Sequence, residues 1–97
     1  MITRKRKPTS PGEILKEEFL VPMGITQKKL ADHIGVDIKV INRIINAKCS
    51  VTADVAVRLA AALKTTAEFW LNAQKALDLY KALEKNKKLP SPLPHAA

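Results

Sequence analysis

The chain has 97 residues, 46% of them hydrophobic, enough for one small domain with an apolar core and little to spare. Seventeen Lys and Arg against nine Asp and Glu give a formal net charge of +8, a balance that favours a polyanionic partner. Two Phe, one Trp and one Tyr are too few for the stacking platforms common among RNA-binding folds, so duplex DNA is preferred, and no stretch is apolar enough for a membrane span or a secretion signal.

Arg4, Lys5, Arg6 and Lys7, followed by Pro8, Thr9 and Ser10, read as a flexible basic arm over residues 1–9. Such an arm either adds salt-dependent contacts to phosphates or a minor groove, or is simply a solvated charged terminus. Ser10, Pro11 and Glu13 form a capping box with proline at the first helical position. The helix they open turns Ile14, Leu15 and Phe19 inward, and Pro22 and Gly24 end it.

The next segment carries the main signal. Leu30 and Ala31, then Ile34, Gly35 and Val36, then Ile41 and Ile44 have the residue types and spacing of a helix-turn-helix. Two short helices crossing steeply leave room only for a small side chain at the crossing, which Ala31 provides. Gly35 supplies the positive φ of the turn. Thr26 caps the first helix of the pair, and its N-terminal amides favour a phosphate oxygen, so Thr26, Gln27, Lys28 and Lys29 are candidates for positioning contacts to the DNA backbone.

Asp37 caps the second helix, predicted from Ile38 to Asn46. At about 100° per residue, Lys39, Asn42, Arg43 and Asn46 share one arc of roughly 100°, and the isoleucines fill much of the rest. Lys and Arg can donate to guanine O6 and N7, and Asn can pair with adenine N6 and N7. Lys39, Asn42 and Arg43 are therefore the expected base-contacting residues. Ile38 either meets a thymine methyl or belongs to the core, and Asn46, at the helix end, is expected on a phosphate.

Ala47 to Val51 reads as a loop, and Thr52 opens a helix with Val55, Ala56, Leu59, Ala60 and Leu63 on one face. Thr65 and Glu68 form a second capping box ahead of the longest helix, roughly Ala67 to Asn86. Its inward stripe is expected to be Phe69, Ala73, Ala76, Leu77, Tyr80 and Leu83, with Trp70 alongside. Leu71 and Leu79 fall outside that stripe and are the candidates for a dimer or partner surface. From Leu89 the tail carries Pro90, Pro92 and Pro94 and cannot continue a helix. The expected organisation is thus an all-α domain of five helices over residues 10–88, between the arm and a Pro-rich tail at 89–97.

Nothing points to catalysis. Cys49 is the single cysteine, with no histidine near it in sequence, and His33 and His95 have no second ligand at metal-binding spacing. No catalytic residue, metal or cofactor is expected. One reading helix covers only a few base pairs, so specificity calls for a homodimer whose two reading helices lie about 34 Å apart on an inverted repeat.

The runs Ser10-Pro11-Gly12-Glu13-Ile14-Leu15, Gly24-Ile25-Thr26-Gln27, Leu30-Ala31, Arg43-Ile44-Ile45-Asn46 and Glu68-Phe69-Trp70-Leu71-Asn72 resemble the HigA family of antitoxins, over about residues 9 to 74. These are Cro/repressor-like helix-turn-helix proteins, related to the virulence-associated VapI group. The resemblance implies a bacterial protein; with neither signal peptide nor membrane span legible in its sequence, it is expected in the cytoplasm, nucleoid-associated when on DNA. The resemblance also implies a dimeric repressor of its own operon, and a HigB-like toxin partner of the RelE-like type, an mRNA endonuclease. Asp37 and Ile38 replace the Ser and polar or basic residue that open the reading helix in many relatives, Val40 replaces a frequent Thr, and Ala47 a frequent Gly. Those departures bear on the operator sequence and on how sharply the helix is capped. A stand-alone repressor without a toxin, and a scaffold that has lost DNA binding, are the competing readings.

Overall fold

A computed structural model describes residues 6–94; Arg4 and Lys5 of the basic arm and His95 lie outside them. The described residues form five helices and no strand. The first, α1, runs as one rod through an α-helical turn Pro11–Ile14, a π-helical stretch Leu15–Leu20 and a last turn Val21–Met23. Then come α2 (Gln27–Ile34), α3 (Ile38–Ile45), α4 (Ala53–Leu63) and α5 (Ala67–Lys85).

Each helix start is fixed by a short polar side chain that accepts from an otherwise unpaired backbone N–H, as helix ends require. Ser10 accepts from Glu13 (3.1 Å), Thr26 from Lys29 (3.0 Å), Asp37 from Lys39 (2.8 Å) and Thr52 from Val55 (3.3 Å). The fifth cap corrects the sequence reading. Thr66, not Thr65, caps α5 by accepting from Phe69 N–H at 3.0 Å. The Thr65 hydroxyl oxygen instead accepts from the Trp70 indole Nε1–H at 2.7 Å. A buried indole must place its one donor somewhere, and that need outweighs the capping-box pattern.

Pro22 does not stop α1 either. The helix continues through it and ends at Gly24, whose φ of +65° is the left-handed cap. Proline in a helix collides with the carbonyl four residues back. Here a π-helical turn lies just ahead, with Val21 N–H bonded to the Lys16 carbonyl, and its wider loop relieves that collision.

Leu15, Leu20, Leu30, Ala31, Ile34, Ile41, Ile44, Val51, Val55, Ala56, Leu59, Leu63 and Trp70 form one continuous core. Ala31 is fully buried at the α2–α3 crossing, as its size demands. Helix α5 packs on α4 and α1, and α1 packs on α3. The buried register of α5 is Trp70, Gln74 and Leu77, so the expected inward stripe is rotated: Phe69 and Leu83 are exposed. Trp70 is the largest fully buried side chain, with Phe19 at 5.5 Å and Phe69 at 5.0 Å between ring centroids.

Gln74 is a buried polar residue with a defined task. Its Oε1 accepts from Val51 N–H at 2.9 Å, and its Nε2 donates to Asp78 at 3.0 Å, so the loop after α3 is pinned to α5.

The end of α3 is closed by a two-bond turn, Lys48 N–H to the Arg43 carbonyl (2.7 Å) and Ala47 N–H to the Ile44 carbonyl (3.0 Å). Ala47 sits there at φ +56°, a conformation glycine adopts without penalty. The expected weakness of this cap is therefore a strained alanine, not a missing turn. Because the Ala47 methyl is exposed, Ala47→Gly is expected to stabilise the domain by about 0.5–1 kcal/mol, a rise of a few degrees in thermal midpoint. An unchanged or lowered midpoint would contradict the strain argument.

Candidate nucleic-acid interface

The sequence of α3 divides it into two faces, and packing fixes which one looks out. Ile41 and Ile44 are buried, while Lys39, Asn42, Arg43 and Asn46 are all exposed on the opposite side. Ile38 is exposed too, so it is not a core residue. It lines an open cleft with Gln27, Lys39, Asn42 and Arg43, which joins the start of α2 to the outer face of α3. Four of the five residues predicted for that face therefore line one cleft, Gln27 joins them from the neighbouring helix, and Asn46 stands just beyond, at the C-cap of α3.

Charge on this face is net positive and available. Among the described residues, Lys39 and Arg43 form no ion pair, whereas Lys28 Nζ lies 3.3 Å from Asp32 Oδ2 in an exposed pair one helical turn long. Exposed pairs of that kind are weak and exchange readily for a phosphate. Thr26 and the free amides at the start of α2 flank the cleft, and Lys29 is exposed beside them. Asp37 spends its carboxylate on the α3 N-terminus, where the helix dipole suits it.

Three features hold this face in place, and the sequence did not disclose them. Gly12 in α1 lies against the back of α3, where a Cβ would overlap the Ile44 carbonyl oxygen and stand 2.6 Å from Ile45 Cα. Arg58 in α4 donates from Nη1 to the Ile34 carbonyl at 2.7 Å, satisfying the end of α2 at the turn, and its Nε pairs with Asp54 at 3.1 Å. Gln74 holds the loop that leaves α3. Only Gln74 had a readable signal, a polar side chain at the register shared by Trp70 and Leu77. Arg58 acts across 24 positions and Gly12 across more than 30, which no local pattern reports.

The amides of the face are also engaged with one another. Asn42 Nδ2 donates to Gln27 Oε1 at 3.2 Å, and Asn46 Nδ2 donates to both the Asn42 carbonyl (3.0 Å) and Asn42 Oδ1 (3.3 Å).

The two surface leucines separate. Leu79 is exposed, but Leu71 is half-buried against the core, so the patch expected of the pair is smaller than the sequence suggested. They line a shallow groove on α5 with Glu68, Asn72, Lys75 and Asp78. From Lys81 to Pro94 every residue is exposed. Among the described residues no helix is long and apolar enough to cross a membrane.

Residues 15–70 match the helix-turn-helix family. The chain is 55% identical over 76 residues to antitoxin HigA-1 of Vibrio cholerae, an alignment covering 78% of this chain and 71% of that protein. Its structure superposes on antitoxin GraA in complex with its operator at a TM-score of 0.83 and 36% identity, covering 97% of this chain and 100% of the other. Pseudomonas aeruginosa antitoxin HigA, solved with the higBA promoter, gives a TM-score of 0.80 at 36% identity, with 84% and 88% covered. With its cleft, its cap pattern and these relatives taken together, the chain belongs to the HigA family of helix-turn-helix antitoxins.

Proposed function

We propose that this chain is a dimeric, operator-binding repressor that also neutralises a HigB-like toxin and, alone or with that toxin, controls its own operon. The observation that carries the DNA part is the outer face of α3, which presents Lys39, Asn42 and Arg43 to solvent with no ion pair to them among the described residues, beside the N-terminal amides of α2. Base contacts fall to those three and to Ile38, whose exposed side chain suits a thymine methyl. Thr26, Gln27, Lys28 and Asn46 border the same face and are the phosphate-side candidates.

Relatives with operator or promoter DNA support that reading, and the antitoxin named in each supports a toxin partner. The exposed far side of α5, with Leu79 at its centre and Leu71 at its edge, is assigned to assembly. Dimerisation would place two reading helices about one helical turn of DNA apart.

Expression together with the neighbouring open reading frames, followed by purification and mass measurement, tests all parts at once. The expected product is a complex of this chain with a small basic protein that shifts DNA from upstream of the pair. Recovery of a DNA-binding dimer with no second protein would favour a stand-alone repressor. A complex that ignores that DNA would remove the repressor role.

A further inference from the structure

The amide network on the reading face has a direction that can be derived. Asn46 Nδ2 donates to the backbone carbonyl of Asn42 at 3.0 Å, and a backbone carbonyl can only accept. That fixes which end of the Asn46 carboxamide faces Asn42. The same Nδ2 lies 3.3 Å from the Asn42 side chain, so Asn42 must present Oδ1 there, and its Nδ2 is then turned toward α2. Gln27 answers with Oε1 at 3.2 Å. A flip of Asn42 would set nitrogen against nitrogen at one end and oxygen against oxygen at the other. What remains free on Asn42 is one N–H and one oxygen lone pair, the donor and acceptor that an adenine N7 and N6 edge requires.

We propose that Gln27 and Asn46 are positioning residues for Asn42: together they lock its carboxamide in one orientation before DNA arrives, and so set its base preference. This inference rests on the operator-binding reading and sharpens it, because it moves both residues from phosphate contact to control of base reading. Preorganisation of this kind alters selectivity, whereas a lost phosphate contact weakens binding to every sequence alike.

The test uses the full chain and a randomised duplex library, with affinity measured on the selected site and on unrelated duplexes. Asn42→Ala identifies the base pair that Asn42 reads, as the one position where preference disappears. Gln27→Met keeps the bulk and removes the amide; Asn46→Ala removes the donor. Each is expected to relax preference at that base pair by about threefold to tenfold, leave other positions unchanged, and add little in the Asn42→Ala background.

A uniform loss across all sequences, or an equal loss in the Asn42→Ala background, would overturn the assignment and return both residues to the phosphates; as neutral amides they leave the salt slope unchanged in either case. If Asn46→Ala melts below the assay temperature because α3 loses its end, Gln27→Met, which is remote from that end, decides alone. A wild-type chain that selects no sequence would instead sink the operator reading, and the inference with it.

Discussion

Replacing Gly12 with alanine is expected to destabilise the domain by about 3 kcal/mol, the upper end for inserting a methyl group into a packed site. The usual remedy for overpacking is rotation of a neighbouring side chain. Here the obstacles are backbone atoms, the Ile44 carbonyl group and Ile45 Cα, the latter at 2.6 Å from the added carbon. Relief therefore requires α1 and α3 to separate, which also shifts the reading face.

At roughly 4–8 °C per kcal/mol for a domain of this size, the thermal midpoint should fall by about 12–24 °C. Gly24→Ala supplies the contrast. At φ +65° with nothing within 4 Å, it meets conformational strain alone, and about 1–2 kcal/mol is expected. Equal losses at the two positions would show that crowding against α3 is not what Gly12 relieves.

Joint replacement of Lys39, Asn42 and Arg43 by alanine is expected to erase sequence-specific binding while leaving the fold intact. All three side chains are exposed, and substitutions at such sites usually stay within about 0.5 kcal/mol of neutral. Each well-made base contact is worth about 1–3 kcal/mol of discrimination, so even imperfect additivity leaves a loss of at least a hundredfold in preference for the operator. Weak binding to any duplex should remain through Lys28, Lys29 and the start of α2. Anisotropy titrations over a salt series separate the two effects, since phosphate contacts set the slope and base contacts set the difference between sequences. Retained preference for one sequence would mean that the bases are read elsewhere.

Much of the fold was legible because local chemistry dictates it. Four of the five N-caps, the Ala31 crossing, Gly35 at the turn and the buried isoleucines of α3 all follow from residue type and period within a window of a few residues. The errors arose where burial or backbone bonding outweighs the local pattern. Thr65 serves the Trp70 indole, so the cap moves to Thr66. The α5 stripe is centred on Trp70, Gln74 and Leu77 because the α4 surface and Phe19 decide its rotation, and an apolar count that favours Phe69 and Leu83 cannot register a buried glutamine. Ala47 carries a glycine-like conformation because two backbone bonds of the turn outweigh its strain.

The site shows the same division. Its exposed members were readable from one helical arc, but the bonds from Asn42 to Gln27 and Asn46 were not, because a surface amide in a sequence reveals nothing of its orientation.

The long exposed end of the chain has a practical consequence for counting subunits. The described residues have a radius of gyration of 16.7 Å and extents of 57 × 28 × 22 Å, against about 12 Å for a compact chain of that length. A single copy sweeps out the hydrodynamic volume of a much heavier sphere. It will leave a sizing column early, where a globular pair would, so only a direct mass measurement such as light scattering distinguishes one copy from two.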